Sequence, residues 1–331
     1  MVVVMTSPMS TSPLVIVSCT DRKSLPIKSK LQTRSIPKNL NLEDAATRWV
    51  NAVKAEYSCG NSIPLRDLYQ GEYWRLVRQV ETKAQVRVVS AGLGIHTLDD
   101  LGIGYAATFT SGVLDSVNRW GSDTNGDTEV EWWSKLHSKN SVGVWNWVEK
   151  FIASKESSMV LVAVSGPYQN ALSSDLIKLA MNGLVVVVVS GSEIPKTLDG
   201  VSNIHHVRVT QKLRMILSGS TPTIAIRFVN ELLETGNWQS PTSIHRHLDF
   251  LESEYAKLPT NKKLPSLNRT PMGGDDDVRK WIRKILKQGE ILNPTKSRLL
   301  RILRDKENRG CEQKRFGKLF DEVFEDFGLT Q

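Results

Sequence analysis

Short β-branched runs recur along the chain, and each closes on small polar residues. Leu14 to Val17 runs into Ser18-Cys19-Thr20, Val86 to Val89 into Ser90-Ala91-Gly92, Val160 to Val164 into Ser165-Gly166-Pro167, and Leu184 to Val189 into Ser190-Gly191-Ser192. Ile204 to Val209 is a fifth candidate. Strands this continuous in Val, Leu and Ile are buried on both faces, as in a parallel sheet covered by helices. The spaces between them fit those helices. Asn41 is placed to cap one that carries Glu43 and Asp44 in its first turn and Ala46, Val50 and Val53 at helical spacing. Val144, Trp147, Val148, Phe151 and Ile152 form another stripe, and Ser173 to Met181 connects two strands.

Beyond Thr210 the pattern turns helical. Thr221-Pro222 and Ser240-Pro241 each put a capping hydroxyl before a proline suited to the first helical position, opening helices to about Glu234 and Lys257. The prolines and glycines between Lys257 and Asp277 read as a linker. Three apolar stripes come next, around Val278, Trp281 and Ile282, around Leu299, Leu300 and Leu303, and around Phe316, Phe320 and Val323. Short amphipathic helices bearing them can bury these stripes together. The predicted fold class is therefore α/β, a mostly parallel sheet with flanking helices, plus a small basic C-terminal helical domain. The expected segments are a flexible N-terminus (1–13), an α/β catalytic or base-binding domain (14–256), a linker (257–277) and a basic helical nucleic-acid-binding domain (278–331).

Composition narrows the class. The chain has 331 residues, 40% hydrophobic and 24% charged, which excludes a disordered or fibrous protein. Runs such as Leu184 to Val189 fall far short of the roughly 18 residues that cross a bilayer. The apolar Met1 to Met5 lacks a basic leader and is broken by Ser7, Pro8 and Pro13, so a cytoplasmic protein away from the membrane is expected. Cys19, Cys59 and Cys311 lie far apart without C-x-x-C spacing, which implies reduced thiols rather than a disulfide framework or zinc site. The net charge of +8 is concentrated between Arg279 and Lys318, where fourteen Lys and Arg face four Asp and Glu. Such a block suits phosphate binding, with Arg279, Lys280, Arg283, Lys284, Lys296, Arg298 and Arg301 as candidate nucleic-acid contacts. It equally suits the solvated faces of ordinary helices.

In open α/β sheets ligands bind outside the carboxyl ends of the strands. Glycine and hydroxyl residues at four such ends therefore predict one ligand site, assembled from Ser18, Thr20, Ser90, Gly92, Gly94, Ser165, Gly166 and Tyr168. The first turn, Ser18-Cys19-Thr20-Asp21-Arg22-Lys23, is the richest. A thiol beside two cations suits nucleophilic chemistry, because positive charge favours the thiolate. Cys19, Asp21 and Lys23 are the catalytic candidates, and Arg22 is a candidate anion contact. Arg66, Tyr69 and Arg75 follow in an Arg-Asp-Leu-Tyr segment, and His96, Asp99, Asp100 and Tyr105 lie on a polar stretch expected to cover the site. His205, His206, His245 and His247 show no zinc spacing. Neither a P-loop nor a G-x-G-x-x-G or G-x-S-x-G motif occurs, so neither a nucleotide cofactor nor a metal is expected.

The order of three stretches, Val15 to Lys23, Arg66 to Arg78 and Val88 to Gly94 with Tyr105 downstream, resembles bacterial and phage domains related to the peroxide-stress protein YaaA. The match covers about residues 14 to 190. Gly92-Leu93-Gly94 stands where those domains often carry Lys-Tyr-Gly. The resemblance implies work on nucleic acid or its bases. More narrowly, the chain looks like a DpdC-like component of a 7-deazaguanine DNA-modification system, whose implied reaction hydrates a base-borne nitrile to an amide. The expected function is thus a nucleobase-modifying enzyme acting on DNA, alongside other DNA-modification proteins. The alternatives are a non-catalytic nucleic-acid-binding component of a modification or defence complex, and a glycosylase or deoxyribosyl-transfer enzyme using a carboxylate.

Overall fold

Five of the apolar runs pair as parallel strands, and their register follows from burial on both faces. In this computed structural model, residues 12–121, 128–138, 143–144, 146–259, 270–288, 294–305 and 307–327 are described. The N-terminal stretch expected to be flexible lies almost wholly outside them. The central strands are β1 (Leu14–Ser18), β2 (Gln85–Ser90), β3 (Gly94–His96), β4 (Met159–Ala163), β5 (Val185–Ser190) and β6 (Ile204–Arg208). Their order across the sheet is β3-β2-β1-β4-β5-β6. Val17 sits between Val88 and Ala163, so β1 is the centre of the core. Of these six, only β3 runs antiparallel, folding back along β2 with Ser90 opposite Gly94.

The flanking helices are α1 (Leu42–Ser58), α2 (Glu72–Glu81), α3 (Thr128–Leu136), α4 (Trp147–Ser154), α5 (Gly166–Met181), α6 (Ile224–Thr235) and α7 (Pro241–Lys257). Two of the three caps the sequence announces are in place; the third is not, because Thr221 and Pro222 form a 3-10 turn and α6 begins only at Ile224, with no side-chain cap bond. Asn41 Oδ1 accepts the Asp44 backbone N–H at 2.8 Å, and Ser240 with Ser243 closes a reciprocal box at the start of α7. Helix α5 begins seven residues before Ser173, directly after β4. Helix α3 packs on both α1 and α5, and α2 packs on α6. No helix among the described residues is long and apolar enough to cross a membrane.

This topology fixes where a ligand can enter. From β1 the chain crosses to β2 on one side, and it later returns to β4 on the other. The opposed crossovers leave a crevice outside the carboxyl ends of β1 and β4.

The chain divides into two compact units, Met1–Lys263 and Leu264–Gln331. The second holds α8 (Asp275–Gln288), α9 (Lys296–Asp305) and α10 (Gln313–Asp326) around its own apolar cluster of Val278, Trp281, Ile282, Leu299, Phe316 and Phe320. The expected linker ends three residues early, because Asp275, Asp276 and Asp277 form the first turn of α8. Acidic side chains favour that position at a helix N-terminus.

Candidate functional site

Just past β1 the backbone keeps its sheet pairing for one more residue, with the Cys19 N–H donating to the Val89 carbonyl at 2.8 Å. Then it turns sharply. Thr20 Oγ1 donates to the Arg22 carbonyl at 3.1 Å, and Lys23 Nζ donates back to the Thr20 carbonyl at 2.9 Å. Ser18, Cys19, Thr20 and Asp21 therefore line a cavity, while Arg22 and Lys23 leave its wall.

The cavity measures about 890 Å³ and occupies the crevice predicted by the strand order. The ends of β1, β4, β5 and β6 and the first turn of α5 form its wall, with Thr108, Thr110 and Thr221 adding hydroxyls. Ser165 caps α5 without a side-chain cap bond, and Gly166, Pro167 and Tyr168 follow it along the wall. The helix dipole favours negative charge at that end. Among the described residues, Asp21 and Arg208 are the only charged ones lining the cavity, and Arg208 is paired with Glu193.

At the switch point the groups are close. Cys19 Sγ lies 3.4 Å from the Tyr168 hydroxyl. The Tyr168 ring packs edge-on against Phe109, with centroids 4.9 Å apart. Tyr73 joins the two central strands: its oxygen accepts the Ser18 N–H at 3.3 Å, and its hydroxyl donates to the Ala163 carbonyl at 3.2 Å. Burial pushes the Tyr73 phenol up to about 12. Burial holds Tyr168 well above the usual phenol range. Both phenols thus stay protonated and can donate.

The terminus of β2 behaves differently. The buried Ser90 Oγ lies 2.5 Å from the Tyr105 hydroxyl, which in turn lies 2.7 Å from that of Tyr69. Ser90 Oγ also accepts the Gly92 and Leu93 N–H groups at 3.0 Å each. The carbonyls of Ala91 and Gly92 take indole N–H bonds from Trp132 at 2.7 Å and Trp49 at 2.8 Å. A Cβ on Gly92 would come within 2.4 Å of the Tyr105 ring. Gly94, at φ 83°, lies against His137. These groups are all bonded to protein, so Ser90, Gly92, Gly94, Tyr69 and Tyr105 form a plug and not a ligand wall. Lys23 rests on that plug, 4.1 Å above the Tyr105 ring centroid. Burial holds its pKa below the usual lysine value, only partly offset by the nearby Asp21 carboxylate.

Other expected contacts are also spoken for. The Arg66 guanidinium pairs with Glu81 at 3.0 Å and with Asp99, and Arg75 is exposed on α2; neither lines the cavity. His96 is on the edge strand β3, where its hydrogen bond holds the Asp100 carboxyl down at about 2. The polar stretch expected to cover the site is thus built into the body. In the second unit, Arg279 pairs with Asp276 and Glu322, Arg283 with Asp326 and Lys296 with Asp321. Lys280, Lys284, Arg298 and Arg301 are exposed.

Sequence reasoning missed Tyr73, Thr108, Thr110 and Arg208 as wall residues. Ser190-Gly191-Ser192 and Thr210 carried the strand-end signal, and both line the cavity. Tyr73 carried none, since its reach to Ala163 spans ninety residues of chain. No group of three or more metal-ligating side chains comes together among the described residues. A scan against protein-family models finds no match to this chain, and neither does a search of curated proteins.

Proposed function

We propose that the chain is an enzyme that modifies a nucleobase in DNA, with the base held in the switch-point cavity and Cys19 as the reacting group. The observation that carries this reading is the position of the Cys19 sulfur at the cavity wall, 3.4 Å from a protonated phenol on the first turn of a helix. A volume of about 890 Å³ falls in the range of small-ligand sites, roughly 300 to 1,000 Å³. The likeness to YaaA-related domains supports the choice of nucleobase, and the basic second unit supports the choice of DNA.

The reaction that fits these groups is hydration of a base-borne nitrile, as on a 7-deazaguanine. Cys19 sulfur bonds to the nitrile carbon while its proton passes through the Tyr168 phenol to the nitrile nitrogen, giving a thioimidate. Water then adds across the carbon–nitrogen double bond. Collapse of that adduct breaks the carbon–sulfur bond, leaves the amide and returns a proton to sulfur, with Asp21 carrying protons between water and leaving group. Lys23, held behind the turn, adds positive charge near the sulfur.

The test is incubation of the protein with nitrile-bearing DNA, followed by digestion to nucleosides and mass analysis. The expected product gains one water, and Cys19→Ala, checked for folding by circular dichroism, abolishes it. A wild-type rate in Cys19→Ala overturns the covalent scheme, and retention of DNA without conversion identifies a binding component. A glycosylase or deoxyribosyl-transfer reading is favoured by one observation, that Asp21 is the sole carboxylate on the wall among the described residues. Release of free base, lost in Asp21→Asn and kept in Cys19→Ala, would establish it.

A further inference from the structure

The second unit sorts its cations into two sets. On α8, Val278, Trp281 and Ile282 are buried in the unit's own core. At 100° per residue, Arg279 and Arg283 fall on the flank of that buried face, and there they meet Glu322 and Asp326 of α10. Lys280, Lys284 and Lys287 fall on the opposite side, at spacings of four and three residues, and all three are exposed. Among the described residues none of the three has an ion-pair partner. The acidic residues of this unit therefore neutralise the flanking arginines and leave one straight row of lysines, about 10 Å long, facing outward.

We infer that the Lys280–Lys284–Lys287 row is a docking surface for a nucleic-acid phosphate backbone. For its choice of polyanion it rests on the reading of the chain as a DNA-acting protein. Charge complementarity carries the rest. Lys280 and Lys284 repel at a spacing of four and Lys284 and Lys287 at a spacing of three, and the exposed Asp276 and Asp277 one turn earlier offset only the Lys280 end, so an anion that runs alongside stabilises the rest of the row. An anionic lipid surface has the same charge but makes a second demand, apolar side chains at the edge of the basic face that enter the acyl boundary. The large apolar side chains of α8 are turned into the unit's own cluster, and no large hydrophobic side chain of the described residues of this unit is exposed. Phosphates of a duplex ask only for the charges.

The experiment measures affinity of the full chain for an unmodified duplex oligonucleotide as a function of salt. Each phosphate neutralised contributes about 0.9 to the slope of log affinity against log salt. The triple variant Lys280→Gln, Lys284→Gln, Lys287→Gln should flatten that slope by about 2.7, so that the affinity lost on a fourfold rise in salt shrinks by about 40-fold. A control removes the same charge from exposed lysines of the first unit, Lys150→Gln, Lys155→Gln and Lys196→Gln. A second control removes a neutral pair, Arg279→Gln with Glu322→Gln. Neither should change the slope by more than a few tenths. Equal flattening by the triple variant and the first-unit control would overturn the assignment, because binding would then follow net charge alone. Loss of adsorption to phosphatidylserine vesicles with an unchanged DNA slope would overturn it in favour of a membrane surface. Cys19→Ala keeps the wild-type slope if the row is right, so an inactive cavity and a misplaced row give separable results.

Discussion

The carboxyl edge of the sheet has two halves built from the same kind of sequence, and they do opposite things. The ends of β1, β4, β5 and β6 leave hydroxyls and backbone around a cavity of about 890 Å³. The end of β2, with Ser90-Ala91-Gly92, is sealed by Tyr105, Trp49 and Trp132, whose polar atoms take up its backbone and hydroxyl groups. The difference comes from the connection that leaves each strand. After β4 a helix starts at once and opens its N-terminus to the cavity. Beyond β2 the chain instead turns back as the antiparallel β3, and a reversed strand brings no helix end to the edge. Serine and glycine at a strand end thus mark the edge of a sheet, while the connection decides whether the edge is open.

The largest effect that separates the halves is expected from a single methyl group. Gly92→Ala drives a Cβ into the Tyr105 ring and should cost about 3 kcal/mol. Gly166→Ala meets only Ser192 Oγ at 3.4 Å, and its stability should stay within about 0.5 kcal/mol of wild type. Urea midpoints of the two variants measure the contrast, and equal losses would show that the cavity half is as closely packed as the plug.

Acid should attack the sealed half next. His137 Nε2 accepts the Ile95 N–H of β3 at 3.1 Å, and its Nδ1 lies 2.9 Å from the Trp133 carbonyl, an arrangement only the neutral ring satisfies. Burial lowers its pKa to about 4, against 6.5 for a free histidine. Between these values the unfolded chain binds a proton that the folded chain refuses, so this contribution to stability is full at neutral pH and falls as pH drops through the window. Going from pH 7 to 5 should cost about 2 kcal/mol. Unfolding measured across this range should be flatter in His137→Gln, and an identical pH dependence would remove the assignment.

The smallest contrast lies between two phenols. Tyr105→Phe removes from the plug the buried hydroxyl that bonds both Ser90 and Tyr69 and should cost about 1 to 2 kcal/mol. Tyr168→Phe loses contacts with a thiol and with the Thr108 hydroxyl at the cavity wall, where solvent can replace them, so its stability should fall by less than about 1 kcal/mol while turnover on a nitrile substrate falls. Thermal unfolding and the rate together separate a packing tyrosine from a proton donor.

Much of the fold is legible along the chain, because strand burial and helix capping are local. Unbroken apolar runs mark β4 and β5 as interior strands, and Asn41 and Ser240 cap the helices they precede. The three apolar stripes after Val278 form one cluster because each helix presents a face it cannot bury alone. The site was legible in part. Ser18, Cys19, Asp21, Ser165, Gly166 and Tyr168 line one cavity, as strand-end chemistry leads one to expect.

Strand order, and with it the choice among similar termini, belongs to the tertiary structure. That Ser90 is stoppered while Ser165 is open depends on Tyr105 and Trp132 folding over one of them, contacts that no spacing encodes. The same holds for the cations: Arg279 and Lys280 are adjacent in sequence, yet Glu322 neutralises the first and the second faces solvent. Periodicity tells each residue which side of its own element it occupies. Only packing brings two distant elements together and settles which polar groups remain for a ligand.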